Sequence, residues 1–353
     1  MRLLIITQKV DKDDDVLGFF CYWISNLAKH FDSIKVISLS KGKFDLPSNV
    51  EVVSLGKEKK YPKIFQAIFF YFYAFKFLLK TDDVFVHMAP EYVRALYPLN
   101  IFFRKPIIMW YAHIKVSPTA KWAIKHVNYI LTPSKESFEI ESEKVISTGH
   151  GIDTNLFRPI PNIRKGKKKI LAVSRISKVK RIEIFIKSLG ELKNKKPELD
   201  FVAEIVGSPA RPEDFSYQEE LKQLVSSLGL EERVVWKGSV RNMDIPALYN
   251  SSDLFVRLQG GGGFGKTELE AFACGVPVIL PTTVYNGILS DFSGDMYFPE
   301  DDYVKCAENM ANILAWKENR KQEYSQKVRE FVVENHNIEK LSDKIAEEFA
   351  KLK

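Results

Sequence analysis

The chain has 353 residues, 45% of them apolar, and a formal net charge of +7. That length fills two ordinary domains, each with its own core. A charged fraction of 27% without low-complexity stretches excludes a disordered chain.

Three cysteines, Cys21, Cys274 and Cys306, lack metal-ligand spacing and leave an odd one over. They read as buried, reduced thiols in a cytoplasmic protein, with no metal site. The charge is uneven. Residues 1–160 hold 22 Lys and Arg against 16 Asp and Glu, whereas residues 161–353 hold 30 against 29. A basic first half suits an anionic membrane surface or an anionic acceptor, so a peripheral place on the cytoplasmic face of a membrane is compatible with it. No basic–aromatic array or binding module points to nucleic acid.

The opening MRLLIIT reads as a first strand and not as a signal peptide. Further strands are predicted at Ile34–Ser38, Val50–Ser54, Val84–His87, Pro106–Tyr111 and Tyr129–Thr132. Helices are predicted over Gly18–Lys29, Ile64–Lys80, Glu91–Phe103 and Thr119–His126. Strand–helix alternation implies a parallel, doubly wound sheet with ligands at the carboxyl ends of its strands. The loop Gln8–Leu17 carries Asp11, Asp13, Asp14 and Asp15. It reads as a solvated loop that supplies negative charge to the helix opening at Gly18, ahead of a cation or hydroxyl-rich acceptor.

Ile64–Leu79 is apolar except for Gln66 and Lys76, and at 16 residues it falls short of a bilayer span. Ile64, Phe65, Ile68, Phe69, Phe72 and Leu79 form the stripe expected to cover a sheet face. Phe70, Tyr73 and Phe77 are left for a second surface. Their flanking Lys63, Lys76 and Lys80 would suit a membrane-interface helix, although burial between neighbours is the reading preferred. His113 closes the apolar run from Ile107, at a strand end where ligands sit. Its imidazole can donate to a bound ligand or to developing charge, although a lone histidine is more often structural. His87 is the reserve candidate, and His150 falls in a predicted linker.

Pro159–Lys169, with two prolines and several cations, reads as a linker into a second sheet beginning at Lys169–Ser174. The strand end carries Arg175 and Lys180 ahead of a helix over Ile182–Leu192. Two cations five residues apart can grip a diphosphate from one loop, with a basic surface loop as the plainer alternative. Further strands are expected at Ala203–Gly207 and at Val234, leading to Val240. The stretch GGGGFGKTELEAFACGVPVILP, from Gly260 to Pro281, follows a strand at Leu254–Arg257. Glycines let backbone N–H groups close on an anion, and the helix start behind them adds unpaired donors. Gly260 to Thr267 also satisfies the P-loop spacing, but late in the chain and with no later strand ending in Asp. Three amphipathic helices, Asp301–Trp316, Arg320–Glu334 and Ile338–Leu352, close the sequence.

Several of these stretches, in this order, resemble family 4 glycosyltransferases of the GT-B fold. Glu270 to Ile279, EAFACGVPVI, resembles the family's E-A-M-A-C-G-x-P-V-I. Gly149 to Pro159 resembles its N-G-V-D-T-x-x-F-x-P element, and Thr132 to Ser137 its A-P-S segment. Leu228 to Val240 and Tyr249 to Val256 resemble two further segments.

The resemblance implies two Rossmann-like α/β domains facing across a cleft: residues 1–160 on the acceptor side, 161–337 binding the donor, and helix 338–353 returning to the first. It implies a metal-independent, retaining transfer of a sugar from a UDP-sugar or GDP-sugar, with no cofactor, to a hydroxyl of a glycan or lipid-linked glycan. A non-catalytic binder, a nucleotide-sugar epimerase and the P-loop NTPase are the rivals. By the same resemblance His113 is catalytic, and Gly18, Arg175, Lys180, Val240, Gly262, Gly263, Phe264, Gly265, Lys266, Thr267 and Glu270 bind the donor. One departure stands out. Gly262 occupies the place of the first Glu of the family's E-x7-E, and Glu268 or the glycine amides are the candidate substitutes.

Overall fold

A computed structural model describes residues 1–113, 116–140, 142–161, 166–261 and 263–353. It separates into two compact units. One comprises Met1–Asp153, Arg241–Met243 and Asn335–Lys353, the other Thr154–Val240 and Asp244–Glu334.

The first unit is built on seven parallel strands: β1 (Arg2–Val10), β2 (Ser33–Lys41), β3 (Val50–Ser54), β4 (Asp83–His87), β5 (Ile107–Trp110), β6 (Tyr129–Thr132) and β7 (Val145–Ser147). Their order is β3-β2-β1-β4-β5-β6-β7. Central strands covered on both faces need continuous apolar runs, and Leu3–Ile6 of β1 is wholly buried. Leu3 and Ile5 face a layer made by α1 (Phe19–Leu27) and by the last helix, α12 (Ile338–Ala350). Leu4 and Ile6 face α2 (Lys63–Leu78), α3 (Pro90–Phe103) and α4 (Pro118–His126). The strand order turns back between β1 and β4, so the loops after these strands form the switch point of the sheet.

In the acidic loop after β1, the carboxylate of Asp14 accepts the backbone N–H groups of Val16 (2.9 Å) and Leu17 (2.6 Å). It also pairs with Lys9. This aspartate folds its own loop. At Gly18, where α1 begins, a Cβ would stand 2.4 Å from the carbonyl oxygen of Asp14, so only glycine lets the helix start this close.

Helix α2 corrects the sequence reading. Its buried residues are Phe70, Ala74, Phe77 and Leu78, while Ile64, Phe65, Ile68, Phe72 and Leu79 of the expected inner stripe are exposed. Periodicity cannot choose a face on a helix that is apolar all round. Packing chooses it. Small Ala74 lets the helix approach the sheet, and the Phe70 ring stacks on Tyr92 of α3 at 5.9 Å.

Helix α12 joins the α1 layer through Ile338, Leu341, Ile345 and Phe349. The Trp23 indole donates to the Gly151 carbonyl (3.0 Å), the Ile152 N–H to the His336 carbonyl (2.6 Å), and the Ile338 N–H to the Ile152 carbonyl (2.9 Å). His336 is buried, and its Nδ1 accepts the backbone N–H of His150 at 3.2 Å, which fixes the neutral ring.

The second unit holds five parallel strands: β8 (Lys168–Val173), β9 (Phe201–Val206), β10 (Val234–Gly238), β11 (Leu254–Val256) and β12 (Val278–Ile279). Their order is β10-β9-β8-β11-β12. Around them lie α5 (Ile182–Lys195), α6 (Pro212–Ser227), α7 (Ile245–Ser251), α8 (Lys266–Ala273), α9 (Ser293–Met296), α10 (Tyr303–Leu314) and α11 (Glu318–Asn335). Arg329 of α11 donates to the carbonyls of Thr154, Phe157 and Ala273, the last being the C-terminal residue of α8. A guanidinium suits that negative helix end.

Burial, with His150 beside it, pushes the His336 imidazole down to about 3. The unfolded chain therefore takes up this proton first as pH falls below about 6.5, and stability is lost from there towards the folded value. His336→Gln is expected to flatten the fall in melting temperature over that window. Equal slopes for variant and parent would contradict the assignment.

Candidate functional site

In the second unit, the loops after β8 and β11 meet at the carboxyl edge of the sheet. After β8 the chain runs through Arg175 and Ser177 into a short 3-10 turn, Lys178–Lys180, and then α5. Arg175 is exposed and Lys180 half-buried. The Lys180 ammonium donates to Oε1 of Gln259, which lies just beyond β11, so a side-chain bond ties the two loops together. Burial lowers the Lys180 pKa, and the neighbouring cations Arg175 and Arg257 lower it further, against a smaller pull from Glu268. Ser177 Oγ is buried without a hydrogen-bond partner among the described residues.

The turn from β11 to α8 is organised by one carboxylate. Glu268, wholly buried, pairs with Arg257 and accepts the Gly265 N–H (2.5 Å), the Tyr285 hydroxyl (3.3 Å) and the Thr267 hydroxyl (3.4 Å). A Cβ on Gly265 would lie 2.4 Å from the Glu268 carboxylate, so glycine is required for this approach. Glu268 is therefore committed to holding the turn. Of the two candidate substitutes for the missing first Glu, Glu268 is thus already engaged in four contacts. Gly262 itself lies outside the described residues.

Lys266 is the first residue of α8, where the helix dipole disfavours a cation. Burial pushes its pKa down to about 8, although Glu270, 3.6 Å away, opposes the shift. Glu270 is buried and also accepts the Tyr249 hydroxyl at 3.4 Å. Tyr249 donates to the Thr267 carbonyl as well, at 2.9 Å. The Phe264 ring packs inward on Tyr285 (5.0 Å) and Phe331 (5.9 Å), while Gly263 is buried. Two cations at one strand end and a lysine at a helix start, beside a glycine turn, form a cluster that an anion would relieve.

The structure thus brings together Arg175, Lys180, Lys266, Thr267 and Glu270 with the 263–265 backbone. Val240 does not join them. It is half-buried, two residues past the edge strand β10, across the sheet from α8. In the first unit, Gly18 opens α1, and His113 is exposed three residues past β5. The protein around the His113 ring lowers its pKa, and the ring meets Tyr111 edge-on at 5.2 Å. His87 is a core residue, stacked on Phe20 at 3.9 Å and 3.3 Å from the Thr7 hydroxyl. Arg257, Gln259 and Ser177 escaped the sequence reading. Arg257 stood at a predicted strand end, and the same rule that selected His113 would have found it.

Removing one partner of a buried ion pair leaves the other charge uncompensated, at a cost of about 3 kcal/mol or more. Glu268→Gln is therefore expected to destabilise the second unit by about that amount in chemical denaturation. A loss below about 1 kcal/mol would contradict the organising role of Glu268.

Comparison with known proteins places this site in context. Residues 153–322 match the family described as Glycosyl transferases group 1. Mannosylfructose-phosphate synthase of Agrobacterium fabrum is 27% identical over 45% of this chain and 36% of its own length. The lipopolysaccharide core biosynthesis mannosyltransferase LpsB of Rhizobium meliloti is 36% identical over 37% of this chain and 38% of its own. These alignments span well under half of either relative. The crystal structure of HepE from Anabaena in complex with UDP-glucose is similar in fold, with a TM-score of 0.76 at 18% identity, over 99% of this chain and 100% of that one. Two Rossmann-like parallel-sheet units and the 153–322 match agree with the resemblance carried by the motifs. The likeness to the group 1 glycosyltransferases is thus carried by residues 153–322, and the likeness to HepE is one of fold, that of GT-B.

Proposed function

We propose that the chain is a glycosyltransferase that moves a sugar from a UDP-sugar or GDP-sugar to an acceptor hydroxyl, with retention and without a metal. The observation that carries this reading is the cationic pair Arg175 and Lys180, with Lys180 bonded to Gln259 just ahead of the glycine turn that opens α8. UDP-glucose in the HepE crystal and the mannosyltransferase relatives support a nucleotide-sugar donor.

The chemistry follows from charge. Cleavage of the sugar–phosphate bond leaves a diphosphate whose added negative charge needs stabilisation in the transition state. Arg175 and Lys180 supply it, with the 263–267 amides and the positive end of α8, the work a divalent cation does elsewhere. Ser177 Oγ, buried and unpartnered among the described residues, suits a donor oxygen. Glu270, a buried carboxylate beside Tyr249 and Lys266, is the acceptor proposed for the ribose hydroxyls. With Glu268 occupied, the backbone amides of the glycine turn are left to meet the sugar hydroxyls. The lowered pKa of His113 keeps its imidazole neutral at pH 7, able to donate a hydrogen bond to the sugar. A glycan or lipid-linked glycan is the acceptor class proposed, reached at the cytoplasmic face of a membrane.

Lys180→Ala and Arg175→Ala are each expected to weaken donor binding about tenfold or more, the worth of a charge-assisted hydrogen bond. Calorimetric titration with UDP-glucose and GDP-mannose measures this. Near-parental affinity in both variants would contradict the assignment. A bound diphosphate also raises the Lys266 pKa from about 8, so donor binding is expected to take up a proton above pH 8. Titrations in buffers of different ionisation enthalpy detect it, and the uptake should vanish in Lys266→Met. Retention is checked by the anomeric coupling of the product in proton NMR.

A further inference from the structure

The face of α2 turned away from the sheet is a continuous apolar stripe. Ile64, Phe65, Ile68, Phe72, Phe75 and Leu79 are each more than half exposed. Single exposed apolar residues are ordinary, but a stripe along four turns of one helix is not. It continues onto α3. Phe75 meets Phe103 at 5.7 Å, and next to Phe103 stand Ile101, 52% exposed, and Phe102, 83% exposed.

The charges around this face are mostly positive. Residues 57–80 contain six lysines and a single carboxylate, Glu58, and the α2 helix itself has neither Asp nor Glu. Arg104 and Lys105 follow directly at the end of α3. On the adjoining edge strand β3, Glu51 is held by Lys35 at 2.6 Å. Sixteen helical residues span about 24 Å, and no helix of the described residues is long and apolar enough to cross a membrane. An aromatic stripe flanked by lysines on a helix of this length suits the plane of a bilayer interface. A second copy of the chain fits poorly, because an isologous contact would press the same lysines against each other.

We propose that the α2–α3 face docks the protein on an anionic bilayer. Phe72, Phe75 and Phe102 lie among the acyl chains, and Lys63, Lys76, Lys80 and Arg104 meet the headgroup phosphates. The proposal does not depend on the transferase reading. Where both hold, the acceptor is presented at a lipid surface.

Flotation of the full chain tests it, with vesicles of phosphatidylcholine alone and of phosphatidylcholine mixed with phosphatidylglycerol. Binding is expected on the anionic vesicles, about tenfold or more above the neutral ones, and weakening with salt. The pair Phe72→Glu with Phe102→Glu, and the pair Lys76→Glu with Lys80→Glu, should each lose about tenfold or more. All four positions are exposed, so unchanged circular dichroism and an unchanged UDP- or GDP-induced thermal shift show that fold and donor site persist. No parental binding to anionic vesicles, or equal binding by parent and variants, would overturn the proposal. So would a dimer in gel filtration that Phe72→Glu dissolves while vesicle binding is absent.

Discussion

Glu268 holds the turn from β11 to α8 in shape. It sits wholly buried at the third position of α8, opposite Arg257 at the end of β11, and reaches back to the N–H of Gly265. That one carboxylate joins a strand end, a glycine turn and a helix start. Because it is paired and hydrogen-bonded on several sides, its burial is tolerated where a lone charge would not be. The consequence is a turn whose glycines can present backbone donors beside a helix terminus. Lys180 closes the arrangement from the β8 loop through Gln259.

The same arrangement leaves positive charge in excess. Lys180 is depressed by burial and by two arginines, and Lys266 stands at the end of a helix that repels it. Such local conflicts cost folding stability and persist where a ligand resolves them. In the proposed function an anion of two phosphates resolves this one, and the resident cations take the place of a metal ion at the departing group.

Much of this was legible in the sequence, for identifiable reasons. Strands such as Leu3–Ile6 are uninterrupted apolar runs because both sheet faces are covered, and they read clearly. The glycine turn, the Arg175 to Lys180 spacing and the EAFACG helix are local patterns, and they too were readable. What depends on tertiary partners was not. The sequence offers Glu268 as a free acid, and only Arg257 and Tyr285, brought in from elsewhere, show that it is occupied. Likewise, an all-apolar α2 does not reveal which face meets the sheet, and packing around Ala74 and Tyr92 inverted the expected one. The short strand β7 and helices α6 and α7 carried too weak a periodicity to be placed.

The central claim is that this loop pair in the second unit holds a nucleoside diphosphate without a metal. A thermal-shift panel tests it most directly, with UDP, GDP, ADP, their sugars, ATP and GTP, each with EDTA and with Mg²⁺. A ligand that binds only the native state raises its melting temperature by mass action. Stabilisation by one nucleoside diphosphate and its sugars, unchanged by EDTA, is the result expected. Stabilisation by ATP or GTP alone, and only with Mg²⁺, would contradict it and return the Gly260–Thr267 turn to the P-loop reading.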